Sequence, residues 1–389
     1  MSHLDSLTVL SLEQATTLPY MTLKLVMDGA RVIRLESPPR GDPNRWVGPQ
    51  VLSDSQAETG FELGKESITL NLLEEAGRDI LHRLIREMPI DIFATNQRPD
   101  SYKKLGIDYE TLSGIKPDLI WVGITGFGPT SNEAAYDPIL QARAGLMELT
   151  GESNGDPMVF GLPMVDLRAG EHAYGAVMKA LYQRAVTGKG TRLDISMFQS
   201  AVSWMVSPVL LSHSFGVKAA RRGNTHQFFA PVSVYPTSDG FIYLAVGNDR
   251  QWEALTGQQG FESLANEKYK HNAGRIAAVD ELNGQLSAIF KNRSTAEMIE
   301  MCNKISVPVS RVNTVPQVCA DPLIASQLVK ARDSRSGIEI AIPPPAVISA
   351  RLKEKGLTLG FPPRLGEHNE SVLASLGCDA SELKERGII

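Results

Sequence analysis

The sequence is short of the residues that would staple it or bind metal. Only three cysteines occur in 389 residues, Cys302, Cys319 and Cys378. They are odd in number, far apart and without a CxxC pair. That argues against a disulfide framework or a zinc site and favours reduced thiols in a cytoplasm. The seven histidines form no HxH or HxxxH pair, so no metal site is expected. No apolar run approaches the roughly 20 residues that cross a bilayer. The first residues, Met1-Ser2-His3-Leu4-Asp5, lack the basic and apolar regions of a signal peptide. A strong charge of one sign is also missing. The formal net charge is −5, so neither nucleic acid nor an anionic membrane surface is an expected partner. Finally, Ser11–Thr17 contains no glycine, so the first turn lacks GxGxxG and dinucleotide binding in the usual manner is disfavoured.

What is present is an ordinary globular composition, 42% hydrophobic and 21% charged, on a chain long enough for two domains. Val9–Leu12 reads as a strand, Ala15 to Met27 as a helix ended by Asp28-Gly29, and Arg31–Glu36 as a second strand. Strand–helix–strand order at this spacing predicts a parallel sheet. The pattern continues with a helix near Leu73–Glu87, a strand at Ile90–Phe93, a helix near Asp108–Lys116 and the apolar run Leu119–Ile124, typical of a buried parallel strand. Beyond about residue 225 the texture changes. Val232–Tyr235, a turn at Thr237–Gly240 and Phe241–Val246 predict a hairpin, followed by polar helical sequence to about Lys304. The boundaries drawn are a large domain, 1–224 with 321–389, and a small α+β domain, 225–320. Near the C-terminus, Ile338–Ile342 and a helix near Asn369–Leu376 complete the reading.

Two features carry chemistry. Arg34, Arg40, Arg45, Arg98, Lys103 and Lys104 lie in or beside loops that follow predicted strands. Gathered on one side of the sheet they would hold phosphates; scattered, they are a solvated basic face. Trp46, beside Arg45, is a candidate to stack on a flat ligand group. The second feature is Asp166, in Gly161-Leu162-Pro163-Met164-Val165-Asp166, where an apolar loop turns into a helix. Ala173, Val177, Ala180 and Leu181 form one apolar stripe of that helix, which stops at Thr187–Gly190. A carboxylate at a helix start is favoured as a cap, and there the dipole and free N–H groups should keep it ionised. An ionised, partly desolvated carboxylate is also a nucleophile toward an activated acyl group.

Several motifs, in order, resemble the family III CoA-transferases, a family that also holds α-methylacyl-CoA racemase. They include Gly29–Glu36 with Gly41-Asp42, Gly64-Lys65 with Ser67, Asn96–Pro99 with Leu105-Gly106, and Tyr136-Asp137 with Gln141. Further pieces are Gly145–Met147, Thr150-Gly151, Gly161–Asp166, Gly170, Ala180–Tyr182, Arg184, Thr187–Gly190, Asp194–Ser196 and Pro362–His368. The resemblance covers nearly the whole chain. It implies an α/β fold, a Rossmann-like large domain with a parallel sheet plus a smaller α+β domain, in an interlocked homodimer or a heterodimer with a related subunit. It implies that Asp166 forms acyl-anhydride and aspartyl-CoA thioester intermediates. It also implies CoA or substrate contacts from Thr16, Arg40, Trp46, Asn96, Arg98, Lys104, Tyr136 and Asp137. Coenzyme A esters would be substrates, with no permanently bound cofactor, no metal, no nucleic acid and no membrane.

The racemase branch carries a histidine where this chain has Tyr136. A tyrosine near its usual pKa of about 10 is a poor base at neutral pH, so transfer is favoured over racemisation. The glycine run that some transferases close over the intermediate has no counterpart in Asn224–Pro231, where Gln227, Phe228 and Phe229 stand instead. Backbone amides near Gly161 or in Gly126–Gly128 are candidate oxyanion donors. The expected reaction moves CoA from a donor such as succinyl-CoA to a carboxylic acid, with a dicarboxylate such as a substituted succinate favoured. The alternatives are a 2-methylacyl-CoA racemase and a non-catalytic partner subunit.

Overall fold

A computed structural model describes residues 4–51 and 54–389. The chain packs as two compact units. One comprises Met1–Gly145, Phe160–Phe215 and Pro322–Ile389; the other comprises Leu146–Val159 and Gly216–Asp321.

The first unit is built on six strands: β1 (Thr8–Leu12), β2 (Arg31–Glu36), β3 (Glu66–Thr69), β4 (Ile90–Thr95), β5 (Ile120–Thr125) and β6 (Thr191–Ser196). Their order across the sheet is β3-β2-β1-β4-β5-β6. All five pairings are parallel. Chain order therefore reverses direction between β1 and β4, which opens a crevice at their carboxyl ends. β1 and β5 are buried along their whole length, as continuous apolar runs between two helical layers must be. Sequence pattern had not marked β3 or β6. β3 is four residues long and buries Ser67 and Thr69, and β6 is an edge strand with mixed exposure. The backbone amides of Ser67 and Thr69 are occupied by His368 Nδ1 (3.1 Å) and Asn369 Oδ1 (2.8 Å), so the C-terminal segment covers that sheet edge.

Helices α1 (Thr17–Met27), α2 (Glu75–Glu87), α3 (Tyr109–Ile115), α4 (Asp137–Arg143), α5 (Met164–Thr187) and α6 (Val206–Phe215) belong to the same unit. α2 buries Ile80, Leu81, Leu84 and Ile85 on one stripe and is polar elsewhere. Truncating a leucine such as Leu84 to alanine costs ~2–5 kcal/mol. α5 ends on Gly188, whose φ of 70° makes it a left-handed cap, as the glycine after Thr187 predicted. Its buried stripe is Val165, Ala169, Ala173, Val177 and Ala180, whereas the predicted member Leu181 is half-buried. Small side chains let α5 approach α1 closely. A Cβ on Gly170 would stand 2.9 Å from the Thr17 carbonyl oxygen and 2.8 Å from Tyr20 Cδ1, so only glycine fits.

The second unit holds a three-stranded antiparallel sheet of β7 (Val232–Thr237), β8 (Gly240–Ala245) and β9 (Val309–Arg311), with β8 in the centre. The predicted hairpin is present, with Gly240 opposite Thr237. Tyr235, Ile242, Leu244, Trp252, Phe261, Phe290 and Met298 form its core.

Two members of the expected basic face turn out to be sealed inside the first unit. Arg34 is fully buried, with Nη2 2.7 Å from Asp42 Oδ2 and Nη1 3.3 Å from Glu62 Oε2. Lys65 Nζ lies 2.7 Å from Glu13 Oε1 and 3.0 Å from Glu62 Oε2. Arg45 Nη2 pairs with Glu36 Oε2 at 2.7 Å. Arg34 and Arg45 therefore hold protein carboxylates rather than ligand phosphates. Arg40, Arg98, Lys103 and Lys104 are exposed.

Candidate active site

The crevice predicted by the strand order is a cavity of about 170 Å³. One wall is Gln14, Ala15 and Thr17, from the loop after β1 and the start of α1. Opposite are Asn96, Gln97, Arg98 and Pro99, from the loop after β4. Ile124, Thr125 and Gly126 close the end of β5, and Ser131, Glu133 to Tyr136, Met197 and Asp166 complete the lining. The two loops are tied across the reversal point. Asn96 Oδ1 accepts from the Gln14 amide at 3.1 Å, and Asn96 Nδ2 donates to the Gln14 carbonyl at 2.8 Å.

Lacking glycine, the first turn uses Ala15 in a left-handed conformation, φ 62°. A non-glycine residue there is strained and must be held. Here its amide donates to Asp42 Oδ2 at 2.9 Å, the same oxygen that receives Arg34. The buried charge cluster thus braces the wall of the cavity.

Asp166 is the third residue of α5, not its cap; the cap position is Pro163 and makes no side-chain bond. The capping is done from α4. Asp137 Oδ2 accepts from the amides of Val165 (2.7 Å) and Asp166 (3.2 Å), while its Oδ1 accepts from Gln141 Nε2. Gln141 Oε1 in turn receives the Phe160 amide at 3.0 Å. Two of the helix-start amides that the sequence reading assigned to Asp166 are therefore spent on Asp137. The consequence is electrostatic. Burial pushes the Asp166 carboxyl up, the Thr17 hydroxyl bond pulls it down, and the neighbouring Asp137 charge pushes it up again, leaving it at about 6. The carboxyl thus sits above the usual carboxylate range although it lies at a helix start. At neutral pH it remains mostly ionised, poorly solvated and near its titration point. A perturbed carboxylate in a cleft is the pattern of a functional group rather than a structural one.

The other expected residues divide. Asp166, Tyr136, Asn96 and Arg98 line the one cavity, and Asp137 supports it from beneath. Thr16 sits between lining residues Ala15 and Thr17 but is not itself part of the wall. Arg40, Trp46 and Lys104 lie outside it; Trp46 Nε1 donates to the Arg40 carbonyl at 2.8 Å and its ring is 58% exposed. Of the proposed oxyanion amides, Gly126 lines the cavity, where a Cβ would meet Ala135 Cβ at 2.3 Å. The Gly128 amide donates to Thr125 Oγ1 at 3.1 Å, and Gly161 is not in the wall. Sequence reasoning overlooked Thr17, whose Oγ1 donates to Asp166 Oδ1 at 2.7 Å. Its position, first in the helix after β1 at the carboxyl edge of the sheet, was the available signal. Among the described residues no cluster of metal-ligating side chains occurs.

Residues 4–369 match the family model described as CoA-transferase family III. The chain belongs to that family. The family III CoA-transferase chain is 32% identical over 377 residues to the succinyl-CoA:glutarate CoA-transferase of Homo sapiens, covering 95% of this chain and 85% of that one. It is 31% identical to the succinate–glutarate CoA-transferase of Agrobacterium fabrum, over 96% and 95% of the two chains. Among solved structures, a CAIB/BAIF family protein from Brucella suis matches with a TM-score of 0.84 at 31% identity, over 96% of this chain and 99% of that one. The transferase's substrates are therefore CoA thioesters and carboxylic acids. No helix among the described residues is long and apolar enough to cross a membrane.

Proposed function

We propose that this transferase moves CoA from succinyl-CoA to a dicarboxylic acid, such as glutarate or a substituted succinate, through covalent intermediates on Asp166. The observation that carries the reading is the Asp166 carboxyl itself, partly desolvated, raised to about 6 and facing the cavity at the strand-order reversal. The names of the relatives, which pair succinate with glutarate, mesaconate or citramalate, support a dicarboxylate acceptor.

In the first step the carboxylate attacks the donor thioester, expelling CoA as thiolate and leaving a mixed anhydride. The thiolate then attacks the Asp166 carbonyl and releases the donor acid. The acceptor carboxylate attacks the aspartyl thioester, and the same two steps run in reverse. Both intermediates hydrolyse in water, so a desolvated pocket serves them. Arg98 is the cationic side chain in the wall, fitted to a phosphate of CoA or to the acceptor's second carboxylate. Arg40, Trp46, Lys104 and Thr16 are taken as outer contacts for the CoA chain. No step draws on a metal or a redox group.

The same reading treats 1–224 with 321–389 as a large domain, 225–320 as a small one, and the protein as cytoplasmic. It also takes an interlocked dimer as the working form. In support, α6 leaves Val206, Val209 and Leu210 between 46% and 72% exposed, an apolar face that a monomer would not keep.

Incubation with succinyl-CoA and a panel of mono- and dicarboxylic acids, followed by mass spectrometry, tests the proposal. It requires new CoA esters of dicarboxylates and a CoA adduct on the peptide that carries Asp166. Deuterium entering the α-carbon of a 2-methylacyl-CoA without transfer would instead make the protein a racemase.

A further inference from the structure

Thr17 lies where α1 packs against Gly170 of α5. Gly170, one turn beyond Asp166, has no Cβ to push α1 away, and the Thr17 carbonyl oxygen occupies the space that a side chain there would need. That approach delivers the Thr17 hydroxyl to Asp166 Oδ1 at 2.7 Å. The threonine is buried, and its hydroxyl has one other acceptor within reach, the Met197 sulfur at 3.9 Å, a far weaker partner. Asp166 is thus asymmetric before any substrate arrives. One oxygen is tethered by a hydrogen bond, and Oδ2 has no protein donor among the described residues.

We propose that Thr17 is a catalytic hydrogen-bond donor: it marks Oδ1 as the oxygen that stays on the side chain, leaves Oδ2 to attack, and stabilises the oxyanion that forms on Oδ1. This rests on the reading of Asp166 as the nucleophile. In the first step Oδ2 bonds to the acyl carbon of the donor thioester, the C–S bond breaks and CoA departs as thiolate. The thiolate sulfur then adds to Cγ of Asp166, and the carbonyl electron pair moves onto Oδ1, against the Thr17 hydroxyl. Collapse breaks Cγ–Oδ2, and the donor acid leaves as a carboxylate carrying Oδ2. An oxygen of the acceptor carboxylate next adds to Cγ, again charging Oδ1, and thiolate is expelled. Finally the thiolate attacks the acceptor's acyl carbon, and Asp166 is regenerated with the acceptor's oxygen in the place of Oδ2. Both additions at Cγ put charge on Oδ1, so a donor fixed there works twice per turnover and needs no movement between steps. A preorganised donor aimed at a developing oxyanion is a strong form of rate enhancement.

The balance of oxygens gives a readout that mere structural support would not move. With an acceptor labelled with heavy oxygen in both carboxylate positions, wild-type Asp166 exchanges one oxygen and keeps the other, however many turnovers pass. Thr17→Val, similar in volume to threonine, removes the tether and lets the carboxylate rotate, so both oxygens exchange. The same variant lowers kcat by ~10²-fold. It also raises the pH at which activity is lost on the acid side, because the Thr17 bond lowers the Asp166 carboxyl. The titratable groups of the same cavity wall, Tyr136, Arg98 and Glu133, and Asp137 at the helix start, are untouched by it. Thr17→Ser restores the single-oxygen pattern and most of the rate, which separates the hydroxyl from the fold. If wild type carries no CoA on Asp166, the nucleophile reading itself fails. If wild type carries it but Thr17→Val exchanges one oxygen at the wild-type rate, Asp166 stands and the role of Thr17 is overturned.

Discussion

Two groups of buried carboxylates sit within the first unit, and their surroundings differ. Glu13 and Glu36 are sealed with Arg34, Lys65 and Arg45. For each, burial alone would raise the carboxyl, but the adjacent cations outweigh it. Glu13 is held low by Lys65 and Arg34, and Glu36 is brought to about 2 by Arg34 and Arg45. Asp166 has burial of the same sign but no cation to offset it. Its neighbours are a hydroxyl and another carboxylate, and it stays at about 6. A carboxylate held by two cations is chemically quiet, because its charge is already spent on protein, whereas Asp42, beside Arg34, is still pushed up by burial. An unpaired one at a cavity wall is available to substrate. The two groups are also joined, since Asp42 receives both Arg34 and the Ala15 amide, so the quiet cluster fixes the wall of the reactive site.

The comparison breaks most completely at Asp166. Asp166→Ala is expected to reduce transfer to background and to eliminate any CoA adduct, with circular dichroism and the melting curve of a folded protein. Substantial remaining transfer would mean that the wrong carboxylate has been chosen. The next effect lies in the cluster. Arg34→Met takes from Asp42, Glu13 and Glu62 the guanidinium they share, leaving Lys65 beside Glu13 and Glu62 in a dry interior, and removing one partner of a buried pair typically costs ~3–5 kcal/mol. Chemical denaturation measures the loss. The residual folded enzyme should also turn over poorly because Ala15 loses its brace. Stability within 1 kcal/mol of wild type, a loss far below that ~3–5 kcal/mol, would show the cluster to be dispensable.

Much of this contrast was readable in the chain, though unevenly. The long apolar strands, the α5 stripe and the Gly188 stop were visible because each is a local pattern with a period or a punctuating residue. Asp166 was visible for the same reason, at a loop-to-helix junction, and the run of family motifs raised it above a cap. What local pattern could not supply was partnership. Nothing in the residues around Arg34 and Arg45 shows that their charges meet Asp42 and Glu36 rather than a phosphate. Nothing around Asp137 shows that it, and not Asp166, receives the helix-start amides. Thr17 is separated from Asp166 by 149 positions, and only the close passage of α1 over Gly170 joins them. β3 and β6 were missed because a short buried polar strand and an edge strand lack the continuous apolar signature.

A smaller effect follows from linkage. The folded state binds a proton on Asp166 more tightly than the unfolded chain does, since the carboxyl is raised from 3.8 to about 6. Ionising it therefore costs stability, absent below about pH 4 and fully developed above about pH 6. Asp166→Asn removes that cost, so the variant should be more stable than wild type at pH 7.5 by on the order of 2 kcal/mol. The advantage should vanish by pH 4. A variant less stable than wild type at both pH values would mean that the carboxylate is better satisfied than its surroundings indicate. In the wild-type enzyme the same group predicts that kcat/KM falls about tenfold per pH unit below about pH 6.

The smallest expected effect discriminates best between the two environments, because it changes the surroundings of Asp166 without touching it. Asp137→Asn retains one acceptor oxygen for the amides of Val165 and Asp166 but places an amide against Gln141, so a loss of ~1–2 kcal/mol in stability is expected. It also removes the like charge that raises Asp166. The acid limb of the rate profile should therefore move to lower pH, opposite in direction to the shift expected of Thr17→Val. A carboxylate governed by its immediate neighbours must respond to both changes with opposite signs. If both variants move the limb the same way, general disturbance of the α5 start explains them, and the division between quiet and reactive carboxylates no longer rests on local charge.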